Sequence, residues 1–235
     1  MQTDRKKLVV FTGAGVSAES GIATFRDKDG LWANYRIEEV CTPEALMRNR
    51  AGVIEFYNLR RRELLTKEPN AGHFAIAELE KHFDVEVITQ NIDDLHERAG
   101  SSRVTHLHGE LRKLRSSRDE TLIYPMEGWE QRPDETAPDG APARPFVVFF
   151  GEAVPMFDTA TRIVTEADLL VIAGTSLAVY PAASLVRYLR PGVPVWVVDP
   201  GKPDLSGVRN SVEFIQKNSA IGMPLLAKQL VSNNL

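Results

Sequence analysis

With 235 residues, 43% of them hydrophobic and 26% charged, the chain is long enough for one large α/β domain or one domain carrying a smaller insertion, and its composition is that of a soluble globular protein. A formal net charge of −4 gives no general pull toward nucleic acid or an anionic membrane, so neither is expected as a partner. The single cysteine, Cys41, excludes an intrachain disulfide and a multi-cysteine zinc site, and it favours a reducing, cytoplasmic setting.

The start, MQTDRKKLVVFTGAGV, puts basic residues before an apolar run that is too short for a secretory signal. Apolar runs bounded by Gly, Pro or Asn then recur as LVVF (8–11), VEVI (85–88), FVVFF (146–150), LLVIAG (169–174) and VPVWVV (193–198). All are far below membrane-spanning length, and fully apolar strands of this kind suit a parallel sheet covered on both faces. Helical patterns fall between them, over 43–49, 52–65, 71–81, 156–166 and 181–189. The alternation predicts a doubly wound α/β fold. Two stretches break it. Residues 27–82 hold several helices and no strand, and residues 110–145 are polar and rich in Pro, Gly and Asp. Both read as insertions that form a smaller lobe, which leaves 1–26, 83–109 and 145–235 to the large domain.

The chemistry begins at GAGVSAESGIATFR (13–26). Gly13, Gly15 and Ala18 have the spacing of the dinucleotide fingerprint, in which small residues allow a tight turn and close approach to a pyrophosphate. A helix following that turn would present free N–H groups to the phosphates. The same turn can also be purely structural. A dehydrogenase requires a second strand ending in an acidic residue about 20 residues on. Glu38 and Glu39 lie near that distance with no apolar strand before them, so hydride transfer is the poorer reading. Further on, TQNIDDLHERAG (89–100) puts Gln90, Asn91 and Asp93 just past VEVI, where α/β folds bind ligands. THLHG (105–109) sets His106 and His108 on one face if extended. GTS (174–176) places small and hydroxylic groups at another strand's carboxyl end. One crevice ligand could touch all of these segments.

Taken together, GAGVSAESGIATFR, TQNIDDLH, HLHG, RPFVVFFGE and GTSLAVYPAASL resemble the sirtuin family of NAD-dependent protein deacylases, in the family's order, from about residue 8 to 224. The resemblance implies a large Rossmann-like domain with a smaller helical, zinc-binding module. It also implies that NAD is consumed rather than reduced. In the family the acyl-lysine oxygen attacks the ribose carbon bearing nicotinamide, and the products are lysine, nicotinamide and O-acyl-ADP-ribose. The implied partners are acylated-lysine proteins or peptides.

Carried onto this sequence, the NAD site takes in Gly13, Ala14, Gly15, Ser17, Glu19 and Thr24, with Ala14, Gly15 and Ser17 on the phosphates. Phe25 and Arg26 belong to the loop covering the reacting ribose, and Gln90, Asn91, Ile92 and Asp93 line the ribose and nicotinamide pocket. Gly174, Thr175 and Ser176 contact phosphate and ribose, Asp199 (where the family more often has Asn) the adenosine ribose, and Ser219 the adenine. His108 is the expected general base on a ribose hydroxyl, since imidazole titrates near working pH, and Asn91 and Asp93 act beside it. Val148, Phe150, Gly151 and Glu152 would pair with the peptide backbone by strand addition, facing Val179. Each has a plainer counterpart: a satisfied structural histidine, a tight turn, a core strand.

In EFYNLRRREL (55–64) Tyr57 and Arg60 are neighbours on one helix face. The plainer reading is a solvated basic helix whose tyrosine packs its ring on the core. The favoured reading is a carboxylate clamp, in which a guanidinium gives a charge-assisted bidentate contact and the phenol adds a donor. The pair resembles class III sirtuins, which remove succinyl, malonyl or glutaryl groups from lysine; weak deacetylation would persist. Mono-ADP-ribosyl transfer, and a non-catalytic NAD or acyl-lysine binding module, are the competing readings.

The sequence also departs from the family. Where most members begin a pair of zinc cysteines it reads Ser116, Ser117, Arg118, Asp119, and no cysteine occurs between Gly109 and Pro145. Structural zinc needs thiolate or imidazole ligands, so no zinc is expected, and Leu122, Ile123, Tyr124, Met126 and Trp129 are expected to cluster instead. Ala23 stands where the family usually has proline.

Overall fold

The computed structural model describes residues 5–24 and 35–234. Its strands in chain order are β1 (Lys7–Thr12), β2 (Asp84–Thr89), β3 (Val104–His106), β4 (Gly109–Ser116), β5 (Ile123–Pro125), β6 (Ala143–Val147), β7 (Leu169–Ala173), β8 (Val195–Val198) and β9 (Val212–Ile215). Its helices are α1 (Ile37–Val40), α2 (Pro43–Arg48), α3 (Arg50–Leu64), α4 (Ala71–Glu78), α5 (Leu95–Arg98), α6 (Phe157–Thr165) and α7 (Ser219–Asn234).

The large domain is a six-stranded parallel sheet in the order β3-β2-β1-β7-β8-β9. Side chains alternate across it, so both faces of LVVF are used. Leu8 and Val10 join Val87 and Val171 beneath Ile76 of α4 and Met223 and Leu226 of α7. Val9 and Phe11 join Ile88 and Ile172 beneath Ala160 and Val164 of α6 and Leu185 of the 3-10 helix at 182–188. Burying one such side chain stabilises by roughly 1.5–3 kcal/mol, which is why these runs are apolar without interruption.

Several elements differ from expectation. FVVFF is not a strand of the parallel sheet. Its first two residues end β6, which pairs antiparallel with β4 in a small sheet of order β5-β4-β6, and the chain then bends so that Phe149 is buried and Phe150 exposed. The polar stretch 110–145 therefore supplies strands. Its signal was weak because ELRKLRS offers only Leu111 and Leu114 as inward apolar residues. No α-helix follows the glycine turn; 3-10 turns at Ala14–Val16 and Ala18–Ser20 take its place, and the N–H groups of Val16 and Ser17 bond within the loop. The 181–189 pattern is a 3-10 helix over Ala182–Tyr188. Helix α7 was unexpected, because Gly222 and Pro224 in its early turns disguise a buried stripe of Met223, Leu226 and Leu230. Gly222 is required there, since a Cβ would lie 2.4 Å from Val198 Cγ1 on the sheet.

The small lobe has its own core of Val40, Val53, Phe56, Leu64, Leu111 and Phe149. The apolar cluster within 110–145 consists of Leu114, Met126, Ala137 and Ala143, with Tyr124 packed on it, while Ile123 is exposed. Polar bonds do the remaining work. Ser116 Oγ donates to Asp139 Oδ2 at 2.7 Å and accepts from the N–H groups of Arg118 and Asp119. Asn58 and Gln131 bond reciprocally at 2.9 Å, side chain to backbone. Arg61, which is 1% exposed, donates from Nε to the Leu111 carbonyl at 2.8 Å. Among the described residues no helix is long and apolar enough to cross a membrane, and no group of three His, Cys, Asp or Glu could hold a metal ion.

Candidate active site

From β1 the sheet extends one way through β2 and β3, and from β7 the other way through β8 and β9. The loops after β1 and β7 therefore meet at the topological switch point, where open α/β sheets bind ligands. They are joined backbone to backbone: Gly13 N–H donates to the Ala173 carbonyl at 3.2 Å and Gly15 N–H to the Gly174 carbonyl at 2.8 Å. Gly174 has φ +60, and a Cβ on it would lie 2.3 Å from the Val16 nitrogen. GAG and GTS are glycine-rich because each leaves room for the other.

A cavity of about 600 Å³ opens at this junction. Gly13, Ala14, Gly15, Ser17, Glu19 and Thr24 line it from the first loop, and Gln90, Asn91, Ile92 and Asp93 from the loop after β2. Gly174, Thr175, Ser176 and Asp199 line it from the ends of β7 and β8. Phe25 and Arg26 lie outside the described residues. Ser219 does not line the cavity. It is fully buried with its carbonyl against Gly72, and Asn218 before it faces the cavity instead.

Beneath the loops runs a buried chain of hydrogen bonds. Asn70 N–H donates to His73 Nδ1 at 3.3 Å, which puts the ring proton on Nε2, 3.4 Å from Ser17 Oγ. Ser17 Oγ also accepts from Asn91 Nδ2 at 3.1 Å and donates to Asp93 Oδ2 at 3.0 Å. Burial raises the Asp93 pKa, and the Leu95 N–H and Ser17 hydroxyl it accepts pull the other way. Burial lowers His73 to about 4. His73 sits in an ordinary helix pattern, and nothing local in the sequence marks its link to Ser17.

The histidines of HLHG part company. His108 lines the cavity, and its Nδ1–H donates to the Gln90 carbonyl at 2.9 Å. Nε2 is left with its lone pair, and burial lowers the ring's pKa, so the group is a neutral base at pH 7. His106 stays behind, 8% exposed, with Nδ1–H on the Asn91 carbonyl at 2.8 Å and Nε2 on Glu97 at 2.7 Å. Burial pushes the His106 pKa down, but the Glu97 contact outweighs it and the pKa is raised. One ring faces the cleft and the other pins the floor of the loop that carries Asn91.

The Sir2 family model matches residues 13–181 of this chain. It is 52% identical over 231 residues to an NAD-dependent protein deacylase of Bacteroides thetaiotaomicron, covering 96% of this chain and 98% of that protein. It is 47% identical over 228 residues to an NAD-dependent protein deacylase of Helicobacter pylori, covering 96% and 98%. The chain belongs to the Sir2 family. Among solved structures, a Sir2 homolog–NAD complex is similar at a TM-score of 0.84 and 38% identity, covering 99% of this chain and 92% of that one. A Sir2 structure with a deacetylated p53 peptide and 3′-O-acetyl ADP ribose is similar at 0.76 and 29% identity, covering 98% and 94%.

The peptide-side residues expected of a sirtuin, Val148, Phe150, Gly151, Glu152 and Val179, line the same cavity. The Glu152 carboxylate, however, is engaged inward. It accepts from Arg144 at 2.6 and 3.1 Å and from the Phe149 N–H at 2.8 Å, which braces the segment. Tyr57 and Arg60 also line the cavity, so the face that carries them is not a solvated one, although Tyr57 does pack its ring on the core as the plainer reading had it. Of its consecutive arginines, Arg60 faces the cavity, Arg61 is buried under the small sheet, and Arg62 is exposed. Tyr57 is 1% exposed, stacks on Phe149 at 5.8 Å and donates its hydroxyl to Cys41 Sγ at 3.3 Å. Burial raises its pKa well above the usual value and lowers that of Arg60. Cys41, Ile22, Leu111 and Phe149 also line the cavity and were not among the expected site residues.

Proposed function

We propose that this sirtuin removes acidic acyl groups (succinyl, malonyl and glutaryl) from lysine side chains, with weaker deacetylation, passing the acyl group to ADP-ribose as nicotinamide leaves. The class of activity is that of its family: the chain is an NAD-dependent protein deacylase. The observation that carries the finer reading is that Tyr57 and Arg60 line the same cavity as His108. A phenol and a guanidinium at that wall suit a carboxylate, because the guanidinium gives a charge-assisted bidentate contact and the phenol adds a donor.

The residues fit NAD. A side chain at Gly13, Gly15 or Gly174 would collide with the opposite loop, so backbone alone forms the floor there. When bound, NAD supplies a nicotinamide–ribose bond whose cleavage leaves an electrophilic sugar carbon. His108 takes a proton from a ribose hydroxyl through Nε2, a reading supported by the Nδ1 bond to Gln90 that leaves Nε2 its lone pair. Asn91 and Asp93 are held by Ser17 in fixed rotamers at the pocket floor, which needs no reorganisation during reaction. The segment 148–151, braced by Glu152 and Arg144, offers an edge for the peptide backbone opposite Val179. A cytoplasmic site of action belongs to the same reading, supported by the low cysteine content.

The test is purified protein with NAD and peptides that differ only in the acyl group. A higher kcat/KM for succinyl-lysine than for acetyl-lysine is expected. Equal values, or a gain of ADP-ribose on the peptide in place of acyl loss, would overturn the reading.

A further inference from the structure

The Tyr57 hydroxyl already has a partner in the protein. It donates to Cys41 Sγ at 3.3 Å, and the two side chains are only 1% and 6% exposed in the wall of the cavity. Cys41 is itself held, since it closes α1 and its carbonyl accepts the Phe150 N–H at 2.9 Å. Burial is the largest influence on the thiol and raises its pKa, so the group is S–H at neutral pH. That argues against a reactive thiolate and leaves a neutral sulfur, a weak hydrogen-bond acceptor.

We propose that Cys41 is a positioning residue that sets acyl selectivity through Tyr57, giving the phenol a weak partner that an acyl carboxylate displaces and a neutral acyl group does not. The inference rests on the acidic-acyl reading above. With a succinyl chain bound, the phenol O–H turns from sulfur to a carboxylate, exchanging a weak bond for a charge-assisted one. With an acetyl chain bound, the far end of the acyl group has no acceptor, and the sulfur keeps a buried hydroxyl from being left without one. The cysteine therefore tempers the preference, because the cost of displacing it falls on the acidic acyl chain alone. A stronger acceptor at this position competes with the carboxylate, and none at all penalises the acetyl complex and the free enzyme but not the succinyl complex.

The experiment measures kcat/KM for succinyl- and acetyl-lysine peptides of one sequence in the wild type, Cys41→Ala, Cys41→Ser, Tyr57→Phe and the double variant Tyr57→Phe/Cys41→Ala. The succinyl-to-acetyl ratio is expected to rise about fivefold in Cys41→Ala and to fall about threefold in Cys41→Ser, the size of one neutral hydrogen bond. In the Tyr57→Phe background the alanine change is expected to leave the ratio unaltered, which a mere change of pocket volume would not do. A ratio that moves the same way in both cysteine variants, or an alanine effect that survives without the phenol, overturns the inference. Should Cys41→Ala not fold, the nearly isosteric serine variant and its own Tyr57→Phe double variant still decide. A wild type with no succinyl preference sinks the acidic-acyl reading and this inference together. A preference that Arg60→Met abolishes, but that is indifferent to Cys41, sinks this inference alone.

Discussion

His108 Nδ1 lies 2.9 Å from the Gln90 carbonyl oxygen, and that contact decides which ring nitrogen keeps its lone pair. A carbonyl can only accept, so Nδ1 carries the proton and Nε2 the lone pair. Replacing His108 by Ala is expected to lower kcat/KM by about 10²–10⁴-fold, the usual share of a positioned acid–base group. The pKa of His108 is lowered by burial, and the base must be unprotonated to act. The acid limb of wild-type kcat/KM against pH should therefore lie below the ordinary imidazole value, and an unchanged rate in the alanine variant would remove His108 from the reaction.

The clamp has its own signature. Arg60→Met keeps the length and apolar stem of the side chain and removes the charge. Desuccinylation is expected to fall about a hundredfold, as loss of a charge-assisted pair would give, while deacetylation changes only a few-fold. Steady-state kinetics on matched peptides reads the difference, and equal losses on both substrates would refute a carboxylate contact.

Acid should weaken the fold through His73. Its pKa is about 4 when folded, against 6.5 for the ordinary side chain, so between these values the unfolded chain binds the proton and the native state does not. Stability from this group is present in full above pH 6.5 and is lost as pH falls through that window, at about 3 kcal/mol in total. His96, lowered by burial and packed 4.9 Å from His73, acts in the same direction. Urea unfolding across this range should show a steeper loss in the wild type than in His73→Gln; parallel curves would contradict the assignment.

The small lobe is expected to stand without metal. Ser116 Oγ donates to Asp139 and accepts from two backbone N–H groups, so Ser116→Ala should cost about 1–3 kcal/mol by leaving the N–H groups without an acceptor and the carboxylate without its donor. Chelator should leave the midpoint of thermal unfolding unmoved. Elemental analysis that finds stoichiometric zinc would overturn this.

How far the sequence could be read depended on the range of the forces involved. LVVF, VEVI and LLVIAG announced buried parallel strands because both faces of each are apolar, and the glycines of GAG and GTS marked the loops that meet at the cavity. Residues 110–145 were opaque, since the segment is held by polar partners remote in the chain, such as Asn58 on Gln131 and Arg61 on Leu111. The Ser17–His73 link, 56 residues long in sequence, was equally hidden, and so was the use of Cys41 by Tyr57. Ser219 shows the reverse limit, because a residue next in sequence to a cavity-lining one, Asn218, faces inward.

Helix α3 presents Tyr57 and Arg60 to the cavity while Asn58 and Arg61, one residue further round in each case, are bolted to Gln131 and Leu111. A helix so riveted on its far side has no freedom to swing outward for bulkier cargo. Admission of a long fatty chain is expected to require breaking those buried bonds first, so a peptide carrying a long-chain fatty acyl-lysine should be a poor substrate until Asn58 or Arg61 is replaced.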